Sequence, residues 1–381
     1  MADDMEKVRP FTRLQRLAIA SAIVFGCLLV GGTAFIWSGY YNVAASRQHW
    51  DITTWVLKTI RDQSIAARAS GIPMPNLDDE DLIRLGAEHY RTGCAACHGT
   101  PGQPNNPLYE GMLPRPPDLA YASYNYTARE LYWIVNSGLK FTGMPPWPAE
   151  ARSDEVWSLV AFLEYLYQNG PQVYGDLIAD LPNPARTPSD ELTGITATAL
   201  ENCVRCHGAE GTPPISNLVP MLHGQTPDYL ARSIREYREQ TRASGFMIPI
   251  AHEMSEEETQ TLLEYYAGLT PVAVESATAD DETLARGQKI AMQGNSQTGV
   301  PPCLSCHSGL ASPQFPLLTG QSARYIESQI NVWRSGLRDR TSYGAIMAQI
   351  ARRLSEQETE DVAAWFAAQA RTDGTEGEDA P

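Results

Sequence analysis

The pentad Cys-x-x-Cys-His occurs three times, at Cys94 to His98, Cys203 to His207 and Cys303 to His307. It takes up six of the seven cysteines, so the odd count does not signal a disulfide framework with one thiol left over. Two thiols three positions apart share one helical turn. They are spaced to add to the two vinyl groups of a haem, and the adjacent imidazole then lies under the iron as proximal ligand. A redox dithiol or half of a zinc site is the competing reading, and zinc would need two further Cys or His ligands for each pair. The histidines outside the pentads, His49, His89, His223 and His252, are scattered without ligand spacing. Each pentad therefore reads as a covalent attachment site for haem c. The expected anchors are Cys94, Cys97, Cys203, Cys206, Cys303 and Cys306, and the expected iron ligands are His98, His207 and His307.

With these residues the chain resembles the class I c-type cytochromes. The resemblance implies an all-α fold and an exported location, because haem c is attached outside the cytoplasmic membrane. The formal charge of −16, from 45 acidic and 29 basic residues, argues against a nucleic-acid partner, which would require a basic footprint.

Between Leu17 and Ala45 there is no charged side chain, and the run from Leu17 to Trp37 is almost wholly apolar. About 20 such residues cross a bilayer. Lys7, Arg9, Arg13 and Arg16 precede the run and Trp37, Tyr40 and Tyr41 close it, as basic and aromatic flanks do at a cytoplasmic and a periplasmic interface. The apolar core is longer than that of a cleaved signal peptide. The expectation is a retained single-pass anchor in a bacterial inner membrane, with Cys27 as a small membrane-facing residue and everything after it periplasmic.

The second half of the chain is a duplication. Cys203 and Cys303 are 100 positions apart, as are Met247 and Met347, and Ser255 to Glu258 and Ser355 to Glu358. Between them Gly224, Gln225 and Tyr229 match Gly320, Gln321 and Tyr325 at an offset of 96. Both Ser-x-x-Glu pairs are capping boxes that open a C-terminal helix. This pattern resembles the tandem di-haem cytochrome c4 type over about residues 195–370. The first pentad belongs to another subtype: Asp79 caps a helix leading to Cys94, Thr127 and Glu130 form a further capping box, and a final helix from about 153 to 167 carries an apolar stripe. The expected order is a cytoplasmic N-terminus (1–16), a transmembrane anchor (17–40), a connecting amphipathic helix (41–78), a first cytochrome domain (79–170), a linker (171–194), a second domain (195–270), a linker (271–282), a third domain (283–370) and an acidic tail (371–381).

The sixth iron position separates carrier from enzyme, since closure by Met favours electron transfer and an open site binds small ligands. Met247 and Met347 each lie 40 residues after their pentad histidine, and together with the c4-like match this makes them the expected sixth ligands. Met144, in Gly143-Met144-Pro145-Pro146-Trp147, is the expected ligand in the first domain, with Met112 as its rival. His252 and Met254 compete with Met247, but Arg352 and Leu354 stand at those places in the other copy. The class I resemblance also implies that the carbonyls of Pro117, Pro220 and Pro316 accept the proximal His N–H.

The reading is a membrane-anchored periplasmic cytochrome with three haem c groups, not itself an enzyme, that passes electrons in a respiratory chain. Its expected partners are a quinol-oxidising complex, a dehydrogenase or a terminal oxidase. The runner-up is the cytochrome subunit of a periplasmic alcohol, aldehyde or sugar-acid dehydrogenase. A haem peroxidase, which needs one haem to lose its Met, ranks below it.

Overall fold

The computed structural model describes residues 12–179, 197–272 and 279–369. Among these the chain is helical, with a single antiparallel bridge, Asn295 to Val300, closing the turn inserted ahead of Cys303. The N-terminus before residue 12, most of the first linker and the acidic tail lie outside the described residues.

Helix α1, Arg13–Trp37, opens on a Thr12 and Gln15 capping box and buries none of its residues against the rest of the chain. Its 25 residues exceed the length needed to cross a membrane. Phe35, Tyr40 and Tyr41 at its end all contact the ring of Trp50. Helix α2, Asp51–Ala69, is the next element and divides into two parts. Ile65 and Ala69 in its C-terminal half are buried against α4, Ala128–Ser137, while Ile52, Trp55 and Ile60 in its N-terminal half stay exposed.

Helix α3, Glu80–His89, capped by Asp79, leads through a π-helical turn, Tyr90–Cys94, into the first pentad. It crosses α5, Val156–Asn169. The expected stripe of Val156, Trp157, Val160, Phe162, Leu163 and Leu166 is buried, but so are Ser158, Leu159 and Ala161 between them. A helix buried on every side is a central one, and α5 is enclosed by α3, α4 and the next segment. That segment corrects the expected linker: Val173–Ala179 forms α6, with Tyr174 3% exposed and packed on Tyr90 and Phe162. Val173, Tyr174, Leu177 and Ile178 recur at helical spacing inside a Pro- and Gly-rich stretch, so the apolar period prevails over local composition.

The duplicated half repeats one plan. Helix α7, Ala197–His207, ends in the second pentad; α8, Pro227–Arg238, packs on α9, Met247–Glu253, and on α10, Glu256–Gly268. Helix α11, Asp281–Gln293, precedes the third pentad; α12, Ala323–Arg334, packs on α13, Ser342–Ala351, and on α14, Glu356–Ala368. Both C-terminal helices open on the expected capping boxes, Ser255 with Glu258 and Ser355 with Glu358. In the helix crossings α3–α5 and α11–α14 a glycine marks the point of closest approach. A Cβ on Gly86 would fall 2.0 Å from the Ser158 carbonyl oxygen, and one on Gly287 would fall 2.1 Å from that of Asp361.

The two copies meet through reciprocal hydrogen bonds. The Gln225 side chain donates to the Leu317 carbonyl at 2.7 Å and accepts from its N–H at 3.0 Å; Gln321 does the same with Met221 at 2.6 and 3.0 Å. Contacts in which i meets j and j meets i are the mark of a two-fold relation. The first pentad's unit joins both copies at the start of α3. Asp81 accepts from the Asn217 N–H, and Arg324 reaches the two oxygens of Asp79 at 2.8 and 2.5 Å.

Two predictions follow from these contacts. Gly86→Ala places a methyl group into backbone and should lower stability by about 1–3 kcal/mol, the range for overpacking, whereas Gly175→Ala in α6, with nothing within 4 Å, should not; denaturant titration of the haem-loaded protein reads both. The Arg324 hydrogen bond, and after burial is set against it the Arg324 charge, hold the Asp79 carboxyl below its usual 3.8. A lowered folded-state pKa contributes stability that is present above 3.8 and lost as pH falls through the folded value. With both side chains partly exposed, Arg324→Gln should therefore cost roughly 0.5–1 kcal/mol at pH 6, with the deficit closing below pH 3.8; a deficit that widens in acid would contradict the assignment.

Candidate haem-binding sites

The six pentad cysteines lie in or beside the short helical turns that the C-x-x-C spacing calls for. Burial pushes Cys94, Cys203 and Cys206 up to about 12 and Cys303 to about 11. A reactive thiol needs a lowered value, and these four are shifted the other way. Among the described residues no group of three or more His, Cys, Asp or Glu side chains converges as a metal site, which leaves zinc without its remaining ligands.

In each pentad the histidine makes the same contact. His98 Nδ1 lies 2.8 Å from the Pro117 carbonyl, His207 Nδ1 2.9 Å from that of Pro220, and His307 Nδ1 2.8 Å from that of Pro316. A carbonyl oxygen only accepts, so Nδ1 carries the proton and donates it, and Nε2 is left with a lone pair. Burial lowers the pKa of all three imidazoles against the pull of that hydrogen bond, His207 to about 4. Neutral rings with a fixed tautomer are what iron ligation requires. The loop after the pentad is tied down in turn: Tyr90 Oη donates to the Gly99 carbonyl at 2.7 Å, and Tyr266 Oη to that of Gly208 at 2.8 Å.

The methionines occupy three local settings. Met144 sits in a loop held by its own N–H on Thr142 Oγ1 at 3.0 Å and by its carbonyl accepting from the Leu139 N–H at 3.2 Å. Met247 begins α9 and Met347 lies within α13; all three are half-buried. Of the rivals, His252 is exposed, while Met254 is buried in the apolar core of its own unit. Met112 comes close to the Met144 loop, its Cε lying 2.6 Å from where a Cβ on Gly143 would fall.

The second and third sites open into one cavity of about 390 Å³. Cys206, His207 and Met247 line it from one copy, and Cys306, His307 and Met347 from the other; Cys94, His98 and Met144 do not line it. Arg242 and Arg338, equivalent positions of the duplication, also face this cavity. They are only 4% and 9% exposed and stack over Tyr237 and Trp333, yet among the described residues neither pairs with a carboxylate. The buried Trp333 Nε1 has no hydrogen-bond acceptor. A buried cation without a counter-ion is costly. Two of them, beside an orphaned donor in a mainly apolar cavity, fit a large apolar group that carries carboxylates, which describes haem and its propionates. The arginines escaped the sequence reading although their shared offset of 96 was visible there. The residues Trp147, Glu155 and Phe246, which join the first site to the second, carried no sequence signal, because their partners are distant in the chain.

The family described as cytochrome c oxidase, cbb3-type, subunit III matches residues 73–163. The thiosulfate dehydrogenase electron acceptor of Thiomonas intermedia is 34% identical over 171 residues, 44% of this chain and 78% of the relative. Cytochrome c4 of Thiocapsa roseopersicina is 34% identical over 163 residues, 41% of this chain and 81% of the relative. A solved cytochrome c4 from Acidithiobacillus ferrooxidans superposes with a TM-score of 0.40 and 28% identity over 44% of this chain and 99% of that one. With relatives at this identity covered over more than two thirds of their length, and with the histidine geometry that haem attachment calls for, the chain belongs to the class I c-type cytochromes, electron-transfer proteins carrying covalently bound haem c, and is related to cytochrome c4.

Proposed function

We propose that the chain is a membrane-anchored, three-haem electron relay on the periplasmic side of a bacterial inner membrane. The observation that supports this most is the threefold recurrence of a pentad histidine whose Nδ1 donates to a proline carbonyl. Cys94 and Cys97, Cys203 and Cys206, and Cys303 and Cys306 would hold the three groups by thioether bonds. His98, His207 and His307 would present Nε2 to iron, and Met144, Met247 and Met347 their sulfur from the other side. Haem c so bound supplies a one-electron ferric/ferrous couple. The protein keeps the imidazoles neutral, fills the sixth position so that small ligands are excluded, and offers Arg242, Arg338 and Trp333 to propionates. A closed sixth position favours a carrier over a peroxidase.

Helix α1 is long and apolar enough to act as the anchor, and α2 carries the chain from its end to the first haem unit. The relative from Thiomonas intermedia is named as an electron acceptor of thiosulfate dehydrogenase, and the family matching residues 73–163 as an oxidase subunit. Donor and acceptor of those kinds, a periplasmic dehydrogenase or quinol-oxidising complex and a terminal oxidase, suit this chain. The thiosulfate dehydrogenase relative favours a periplasmic dehydrogenase as donor, which keeps a dehydrogenase-bound subunit as the second reading. A net charge of −16 favours basic docking faces on soluble partners, so their electron exchange with this protein should slow as salt rises.

Carbon monoxide tests the ligand set. The reduced full-length protein should bind none, and Met144→Ala, Met247→Ala and Met347→Ala should each open one site for one carbon monoxide per chain. Binding to the unsubstituted protein would favour a ligand-binding enzyme instead.

A further inference from the structure

The second and third sites share a cavity that His89 and Glu155 of the first unit also line, whereas Cys94, His98 and Met144 do not, so the first site needs a route to it. The two methionine segments supply one. Trp147, three residues after Met144, is 6% exposed, and its ring lies edge-on, 5.3 Å from that of Phe246, the residue before Met247. His89 of α3 packs edge-on against both rings, at 5.0 and 4.8 Å. A Cβ on Gly245 would fall 2.1 Å from Trp147 Cε2, so glycine there is what lets the indole lie on the backbone beside Met247. The buried carboxylate of Glu155 spans the joint. Its Oε2 accepts from Trp147 Nε1 at 3.3 Å and from the Gly245 N–H at 2.6 Å, its Oε1 accepts from Ser244 Oγ at 2.8 Å, and Arg152 Nη1 lies 3.2 Å away. A buried carboxylate whose bonds all serve one junction acts as a clamp between the segments it joins.

From this geometry we propose that the Trp147–Phe246 joint is the electron path between the first and second haems, with Gly245 and Glu155 as positioning residues. The inference rests on the three-haem reading. In each passage the donor iron is oxidised by one electron and the acceptor iron reduced by one; no bond forms or breaks, no proton moves, and the rings are not themselves oxidised.

The test uses the full-length haem-loaded protein, given a substoichiometric pulse of electrons by photoreduction while their redistribution is followed. Trp147→Leu and Gly245→Ala should slow exchange between the first haem and the C-terminal pair by about tenfold or more, and Trp147→Phe should stay within about threefold, on the scale by which small displacements act. Exchange within the C-terminal pair, the reduction potentials and the sulfur-to-iron charge-transfer bands should not change, which separates a lost path from a lost fold. Phe246→Leu, which leaves the Glu155 clamp intact, should slow the same step and serves if Trp147→Leu does not accumulate. Exchange at the unsubstituted rate in both Phe246→Leu and Gly245→Ala would overturn the proposal. A haem count below three in the unsubstituted protein would instead overturn the functional reading beneath it.

Discussion

The hydrogen bond from a pentad histidine to a proline carbonyl governs the rest of this molecule. It fixes the imidazole tautomer, turns Nε2 outward as a lone pair, and ties the loop that carries the proline to the helix that carries the cysteines. One bond thus closes each unit around the place proposed for the haem. The same demand explains why a chain rich in Gly and Pro still builds compact units. Its loops have a large apolar face to cover, and the helices before and after each pentad need only enclose it.

Polar contacts join the units alongside the apolar ones. The side chains of Gln225 and Gln321 bond the backbones of Leu317 and Met221 across the duplicated copies, Asp79 and Asp81 gather Arg324 and Asn217 at the start of α3, and Glu155 clamps the first methionine loop to the segment before Met247. Such bonds fix orientation at little cost, because both partners are satisfied. In a relay, orientation is what sets the separation of the redox centres.

What the sequence made legible was what is local. The capping boxes at Thr127, Ser255 and Ser355 stand within three residues of their partners, and the pentads within four. The apolar period of α5 was readable as core because it repeats over several turns. Helix α6 was not, since Pro171 and Gly170 disguise four apolar residues as linker. The joint at Glu155 was hidden for a different reason: Ser244 and Gly245 follow it by 89 and 90 residues, and no periodicity reports a contact at that range. Arg242 and Arg338 lay between these extremes, marked by the duplication, but their burial without a counter-ion only shows once the chain is folded.

The proposed three covalent haems are open to one direct measurement, the intact mass of the full-length protein expressed with haem c maturation and kept under denaturing, reducing conditions. A mass equal to the polypeptide plus three haems is the expected result, falling by one haem when both cysteines of any one pentad are replaced by serine. A polypeptide with two haems or fewer, or one whose mass does not respond to replacing Cys94 and Cys97, would contradict it.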